Sequence, residues 1–126
     1  MMEGRIVGRH ALLTVVFSMP PRPDFEIECV IDTGFTDQLT LPQALVDHLA
    51  LPVKGNMDID LANGTSIVLP VYEGWIKWVA GLRKVRVLAT GPMPLLGTDM
   101  MSNCDLFIRF REGGPVTVEA SPLSSP

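Results

Sequence analysis

The stretch VIDTGFTDQLTLP, from Val30 to Pro42, holds the residues of this 126-residue chain best suited to chemistry. An apolar strand pattern runs into Asp32, and Thr33 and Gly34 follow at once, so a carboxylate stands where a core strand turns a sharp corner. A carboxylate so placed either moves protons or caps its own turn, and a glycine two residues on serves both by freeing the chain to bend. The other acids stand in weaker settings: Asp37, Asp58, Asp60 and Asp99 lack the strand-to-glycine context and read as turn or surface carboxylates. His10 and His48 are unpaired in the sequence, His10 on a strand edge and His48 on a short helix, and both read as structural rather than as metal ligands. Cys29 falls on an apolar face as a small core residue. Cys104, in SNCDL, reads as the more exposed thiol, with nothing marking it as a nucleophile. Two isolated cysteines without a Cys-x-x-Cys spacing give neither a disulfide framework nor a zinc signature.

The elements that must position Asp32 are strands, because period-2 alternation dominates the chain. In FEIECVID, Phe25, Ile27, Cys29 and Ile31 share one face and Glu26, Glu28, Val30 and Asp32 the other, so Asp32 points away from the core side. Ala11 to Met19 is a second strand, joined to the first through the turn-rich PPRPD. After the Asp-Thr-Gly, the short apolar Gln38 to Leu41 leads to Pro42. That proline opens PQALVDHLAL as the first helical position of the one helix of consequence. Asn63-Gly64, between Met57 to Leu61 and Thr65 to Val71, is a strong hairpin signal and predicts a projecting ribbon. Trp75 to Val79 and Arg83 to Ala89 pair around Ala80-Gly81. Leu106, Ile108 and Phe110 alternate with Phe107, Arg109 and Arg111, and Gly113-Gly114 leads on to Val116 to Val118. The fold class is all-β, with Trp75 and Trp78 filling a β core or a seam between copies.

With 47% hydrophobic and 19% charged residues, the chain fits one domain over residues 1–118. Residues 119–126, which include SPLSSP, read as a disordered tail. A net charge of −4 without a dense Lys/Arg run argues against a nucleic-acid partner, and Arg83, Lys84 and Arg86 read as the solvated side of a strand. No apolar run approaches the roughly 20 residues of a membrane-spanning helix. No early segment has a basic start and a small-residue cleavage site. No membrane partner is expected, and a reducing cytoplasm suits the two thiols best. The mean hydropathy of +0.29 leaves two readings open, a well-packed core or apolar surface covered by a second copy.

Downstream, Pro94-Leu95-Leu96-Gly97-Thr98-Asp99 supplies an apolar pair ending in glycine. The order of the Asp-Thr-Gly, the Ala62-Asn63-Gly64 tip and this Leu-Leu-Gly resembles the retropepsin-like aspartic proteases, over the chain from about Ala11 to Val118. Small prokaryotic members carrying DTGF and LLGxD are the most similar in pattern. The resemblance implies an acid-protease barrel with one short helix, in a two-fold homodimer, acting as an endopeptidase on peptide or protein substrates with no metal and no organic cofactor. In such enzymes two carboxylates roughly 3 Å apart share one proton. One acts as base toward a water while its protonated partner polarises the scissile carbonyl. A chain with one Asp-Thr-Gly would take its second carboxylate from the Asp32 of a symmetry mate.

By the same resemblance, Thr33 would bond across the axis, Gly34 would admit substrate backbone, and Ala62, Asn63 and Gly64 would form the flap. Leu95, Leu96 and Gly97 would pack behind the active loop, with Leu95 as a pocket wall. The chain departs from the family at Phe35, where Ala or Ser is usual. It departs again at Thr98 and Asp99, where retroviral enzymes place an Arg that braces the loop through an acid, and the terminal strands that interlock retroviral dimers have no clear counterpart. A catalytically inactive module that dimerises or binds peptides is the alternative, and Phe35 is the residue that supports it. Asn63-Gly64 as an ordinary turn is a further alternative.

Overall fold

In the computed structural model, which describes residues 1–122, the alternating segments become ten strands and two short helices. In chain order these are β1 (Met2–Val7), β2 (His10–Phe17), β3 (Phe25–Ile31), β4 (Leu39–Leu41), α1 (Gln43–Leu49), β5 (Val53–Asp60) and β6 (Ser66–Trp78). β7 (Gly81–Ala89), β8 (Leu95–Leu96), α2 (Thr98–Met101), β9 (Cys104–Ile108) and β10 (Pro115–Ala120) complete it. The sheet order β5-β6-β7-β4-β8-β3-β2-β1-β10-β9 is closed by a further pairing, Val16 with Lys77 and Phe17 with Ile76. Strands β6, β7, β4, β8, β3 and β2 therefore form a ring. β5 extends from it with the first half of β6 as a ribbon, and β1, β10 and β9 continue outward from β2.

Alternation decides what fills the ring. Leu13, Val15 and Phe17 of β2, Ile27, Cys29 and Ile31 of β3, and Val85 and Val87 of β7 all point inward and are buried. Each such aliphatic or aromatic side chain contributes about 1.5–3 kcal/mol by leaving water, an upper figure because unfolded chains are already partly collapsed. α1 closes one opening with Val46 and Leu49, and its His48 ring sits 5.1 Å from that of Phe25 at the start of β3. His48 lies in the last helical turn, where a positive charge is favoured by the helix dipole.

Several elements differ from expectation. β1 was not foreseen, and it packs so closely on β2 that a Cβ at Gly4 would lie 1.8 Å from the Leu12 carbonyl oxygen. The two segments Thr65 to Val71 and Trp75 to Val79 are one continuous strand, β6, shared by the ribbon and the ring. Pro42 is the extended residue before α1 (ψ 146) rather than its first helical position. A second helix, α2, follows Gly97 directly. β9 ends at Ile108, because Arg109 to Gly114 form a turn closed by Gly114 N–H to the Arg111 carbonyl (2.7 Å), and Phe110 is left exposed. Trp78 is buried, whereas Trp75 is exposed. β10 runs past the expected domain boundary to Ala120, and the remainder of the expected tail, residues 123–126, lies outside the described residues.

Two predictions follow from this packing. Thr40, on β4, is buried, and its hydroxyl has no hydrogen-bond partner among the described residues. An unsatisfied buried hydroxyl costs about 1–3 kcal/mol, so Thr40→Val is expected to stabilise the fold by about 1 kcal/mol in denaturant titration; a loss of stability would contradict it. Burial, followed by the nearby charge of Glu28, pushes the Cys29 thiol up from 9.0 to about 12. The folded chain thus keeps this proton where the unfolded chain loses it. The stabilising contribution is complete below about pH 9 and falls as pH rises toward 12, by up to about 1.4 kcal/mol per pH unit. Relative to Cys29→Ala, the wild type should lose stability in that window only, and a thiol reagent at neutral pH should label Cys104 well before Cys29.

Candidate active site

β3 delivers the loop at Asp32. Its parallel neighbour β8 pairs Val30 with Leu95 and Ile31 with Leu96, and two backbone bonds extend the ladder, Val30 N–H to the Pro94 carbonyl and Asp32 N–H to the Leu96 carbonyl, both 2.9 Å. On its other side β8 pairs antiparallel with β4, Leu39 with Leu96 and Thr40 with Leu95. The strand ends at Asp32 because the chain turns there: Phe35 N–H bonds the Asp32 carbonyl (3.1 Å), and Gly34 N–H donates to Asp32 Oδ1 (2.9 Å). Thr33 and Gly34 are exposed and Asp32 is half-buried. The carboxylate is thus held by its own turn while remaining accessible to a reactant.

Asp32 and Thr33 border a cavity of about 400 Å³ whose other walls are His10, Val30, Ile31, Met93 and Leu95. Leu95 is one of these walls, whereas Leu96 is fully buried in the core. Gly97 is where the Leu-Leu-Gly segment meets the active loop. A Cβ there would lie 2.1 Å from the Asp37 carbonyl oxygen and 2.7 Å from both the Phe35 ring and its carbonyl oxygen. The Phe35 ring therefore packs behind the loop, against Gly97, and does not line the cavity at Asp32. The Ala62-Asn63-Gly64 tip is exposed at the end of the β5–β6 ribbon, with Gly64 at φ 84 and the Asn63 side chain accepting from Thr65 N–H (3.1 Å) and the Thr65 hydroxyl (2.6 Å). None of its three residues lines the cavity at Asp32 described above.

Two sets of residues were missed by sequence reasoning. His10, read as a structural edge residue, is exposed and forms part of the wall at Asp32. The β2–β3 ladder sets Leu12 opposite Val30, so its continuation brings position 10 level with position 32, a register that the irregular PPRPD connection concealed. The second set braces the loop. Arg86, on β7, donates from Nε (3.1 Å) and Nη2 (2.7 Å) to Asp37 Oδ1, and its Nη2 lies 4.0 Å from Asp99 Oδ2. Gln38 accepts from Arg86 N–H (2.7 Å) and donates to Asp99 Oδ2 (2.8 Å). Asp37 and Asp99, read as plain turn or surface acids, and Arg86, read as solvated, thus tie the active loop to the segment after Gly97. Among the described residues, no three His, Cys, Asp or Glu side chains gather as a metal-binding set.

No protein-family model matches the sequence, and no curated protein matches it. The fold does match a solved structure, the crystal structure of a retropepsin-like aspartic protease from Rickettsia conorii. The TM-score is 0.58 at 13% identity, over 96% of this chain and 91% of that one. The chain therefore has an all-β, retropepsin-like fold. Among the described residues, no helix is long and apolar enough to cross a membrane.

The bracing network makes a quantitative prediction. Arg86→Met leaves the mostly buried Asp37 carboxylate without its cation, and Asp37→Asn removes the need for one. A double-mutant cycle followed by thermal unfolding is expected to give a coupling energy of about 1 kcal/mol between the two positions. Additive effects would mean that the pair holds nothing together.

Proposed function

We propose that this chain is the protomer of an aspartic endopeptidase that cleaves peptide bonds with a water activated by the Asp32 carboxylates of two copies. The observation that carries this reading is the setting of Asp32: a turn-held, accessible carboxylate at the end of a core strand, at the rim of a mostly apolar cavity. The retropepsin-like fold supports it, as does the single Asp-Thr-Gly, which leaves half a dyad in each copy. Two such carboxylates near a two-fold axis cannot both ionise, so one remains protonated to polarise the scissile carbonyl while the other accepts a proton from water. Gly34 N–H, donating to Oδ1, orients the carboxylate. Thr33, exposed beside Asp32, would bond its counterpart, and the cavity walled by Val30, Met93 and Leu95 would receive an apolar side chain next to the cleaved bond.

The ribbon suits a flap. Its tip is exposed, and Leu61, Ile67 and Val68 present apolar side chains to solvent that would be covered when it closed over substrate. Exposed Phe107 and Phe110 are further apolar surface, in keeping with a protomer that works as a pair. The silent-module alternative rests on Phe35; that ring packs on Gly97 and not into the cavity at Asp32, where the Gly34 amide donates to the carboxylate.

The test is cleavage of an unbiased peptide library across roughly pH 3.5 to 7.5, a range that brackets ordinary and raised carboxyl values. Asp32→Asn should lower the rate by about 10²–10⁴-fold, and the wild-type profile should be bell-shaped, as for two carboxylates titrating as a pair. Sedimentation should show a dimer. A stable monomer, or turnover unaffected by Asp32→Asn, would rule the shared-dyad mechanism out.

A further inference from the structure

A second cavity, also about 400 Å³, opens on the outer face of the sheet between β5, β6 and β7, with Gln38 of the active loop in its wall. Its chemistry differs from that of the cavity at Asp32. Three cations, Lys54, Lys84 and Arg86, line it against one carboxylate, Glu73. Arg86 is already engaged by Asp37. The two lysines share Glu73, with Lys54 Nζ 3.6 Å from Oε1 and Lys84 Nζ 3.8 Å from Oε2, and neither has another carboxylate partner among the described residues. One ammonium charge is thus left without a counter-ion, in a chain whose net charge is −4. Val71, on the same face as Glu73, gives the cavity an apolar wall.

We propose that this cavity is a subsite for an acidic side chain of the peptide substrate, an inference that rests on the peptidase reading above. The surplus ammonium charge selects a carboxylate, and Val71 suits the methylene groups that carry it. The fold also supplies a route for the peptide's main chain. β5 is the terminal strand of the sheet, so its outer N–H and C=O groups face no other described strand and are open to an added one. The register shift between Val53 and Gly55 lies at Lys54 itself, and a bulge of this kind re-aims the side chain beside it. An extended peptide lying on β5 can therefore turn one side chain toward Lys54 and Lys84. Gln38 connects this subsite to the loop that carries Asp32, so the acidic residue would sit some distance along the substrate from the cleaved bond.

Two measurements separate this inference from the reading it rests on. The first is equilibrium binding of fluorescent peptide pools, with Glu, Gln or Lys at one position at a time, to the Asp32→Asn protein, which retains the cavity whether or not the dyad is active. The second is cleavage of the same pools by the wild type. At one position Glu is expected to outbind Gln by roughly tenfold, with the advantage shrinking as salt is raised. Lys54→Gln and Lys84→Gln should each reduce it, and Lys84→Glu should shift the preference toward Lys, with thermal unfolding confirming that each variant is folded. Acid-selective binding that depends on these lysines, with no cleavage by the wild type, would uphold the subsite and remove the peptidase. Cleavage by the wild type with no acidic preference, or with one that folded lysine variants leave unchanged, would overturn the subsite and leave the peptidase standing, and binding without either preference or cleavage would overturn both. Absence of both binding and cleavage would overturn both.

Discussion

The geometry at Asp32 depends on two residues of strand, Leu95 and Leu96, threaded between β3 and β4. β8 runs parallel to β3 and antiparallel to β4, and it supplies the carbonyl at Leu96 that takes the Asp32 N–H. Leu96 is anchored by complete burial, and Gly97 lets the chain leave so close to the Asp37 and Phe35 carbonyls that no side chain fits between them. The position of the carboxylate is therefore fixed by pairing between segments more than 60 residues apart, as the Val30–Leu95 register shows. Local turn chemistry alone would leave Asp32 on a loose loop. The closed ring makes the strand end rigid, and its sharp turn keeps the carboxyl oxygens accessible.

That division explains what was legible in the sequence. Period-2 alternation identified β2, β3 and β7 and their inward faces, because one-sided burial writes itself into every second residue. Asn63-Gly64 marked the ribbon's turn for a reason equally local, since Gly64 adopts a positive φ. The Asp-Thr-Gly and Leu-Leu-Gly segments could be associated by family resemblance, and the fold joins them. The order of strands, with β4 and β8 at the centre and β6 bridging ribbon and ring, was not legible, because two- and three-residue strands have no periodicity of their own. β1 was obscured by Gly4, which stands at an inward position where an apolar side chain would have marked the strand and which the close packing on Leu12 requires. His10 was missed for want of a register, and Arg86 because a cation opposite two distant acids cannot be told from a solvated one by sequence alone.

The bracing of the Asp32 loop distributes charge differently from the retroviral pattern. In the retroviral pattern the residue after the Leu-Leu-Gly glycine is a cation, and here Thr98 and Asp99 follow instead. An acid at position 99 close to Asp37 would, by itself, push the two segments apart. β7 resolves this by placing the Arg86 guanidinium on Asp37 and within 4.0 Å of Asp99, while Gln38 bonds both the Arg86 backbone and the Asp99 carboxylate. A planar guanidinium has enough donors to serve more than one carboxylate, which a lysine in its place would do less well. The loop is thus tied at the front by the Asp32–Leu96 backbone bond and at the back by a cation from a different strand. Because Arg86 also lines the outer cavity, the same side chain that stiffens the loop forms part of the surface of that cavity. The arrangement couples the rigidity of the loop to that surface, so a change at position 86 acts on both together.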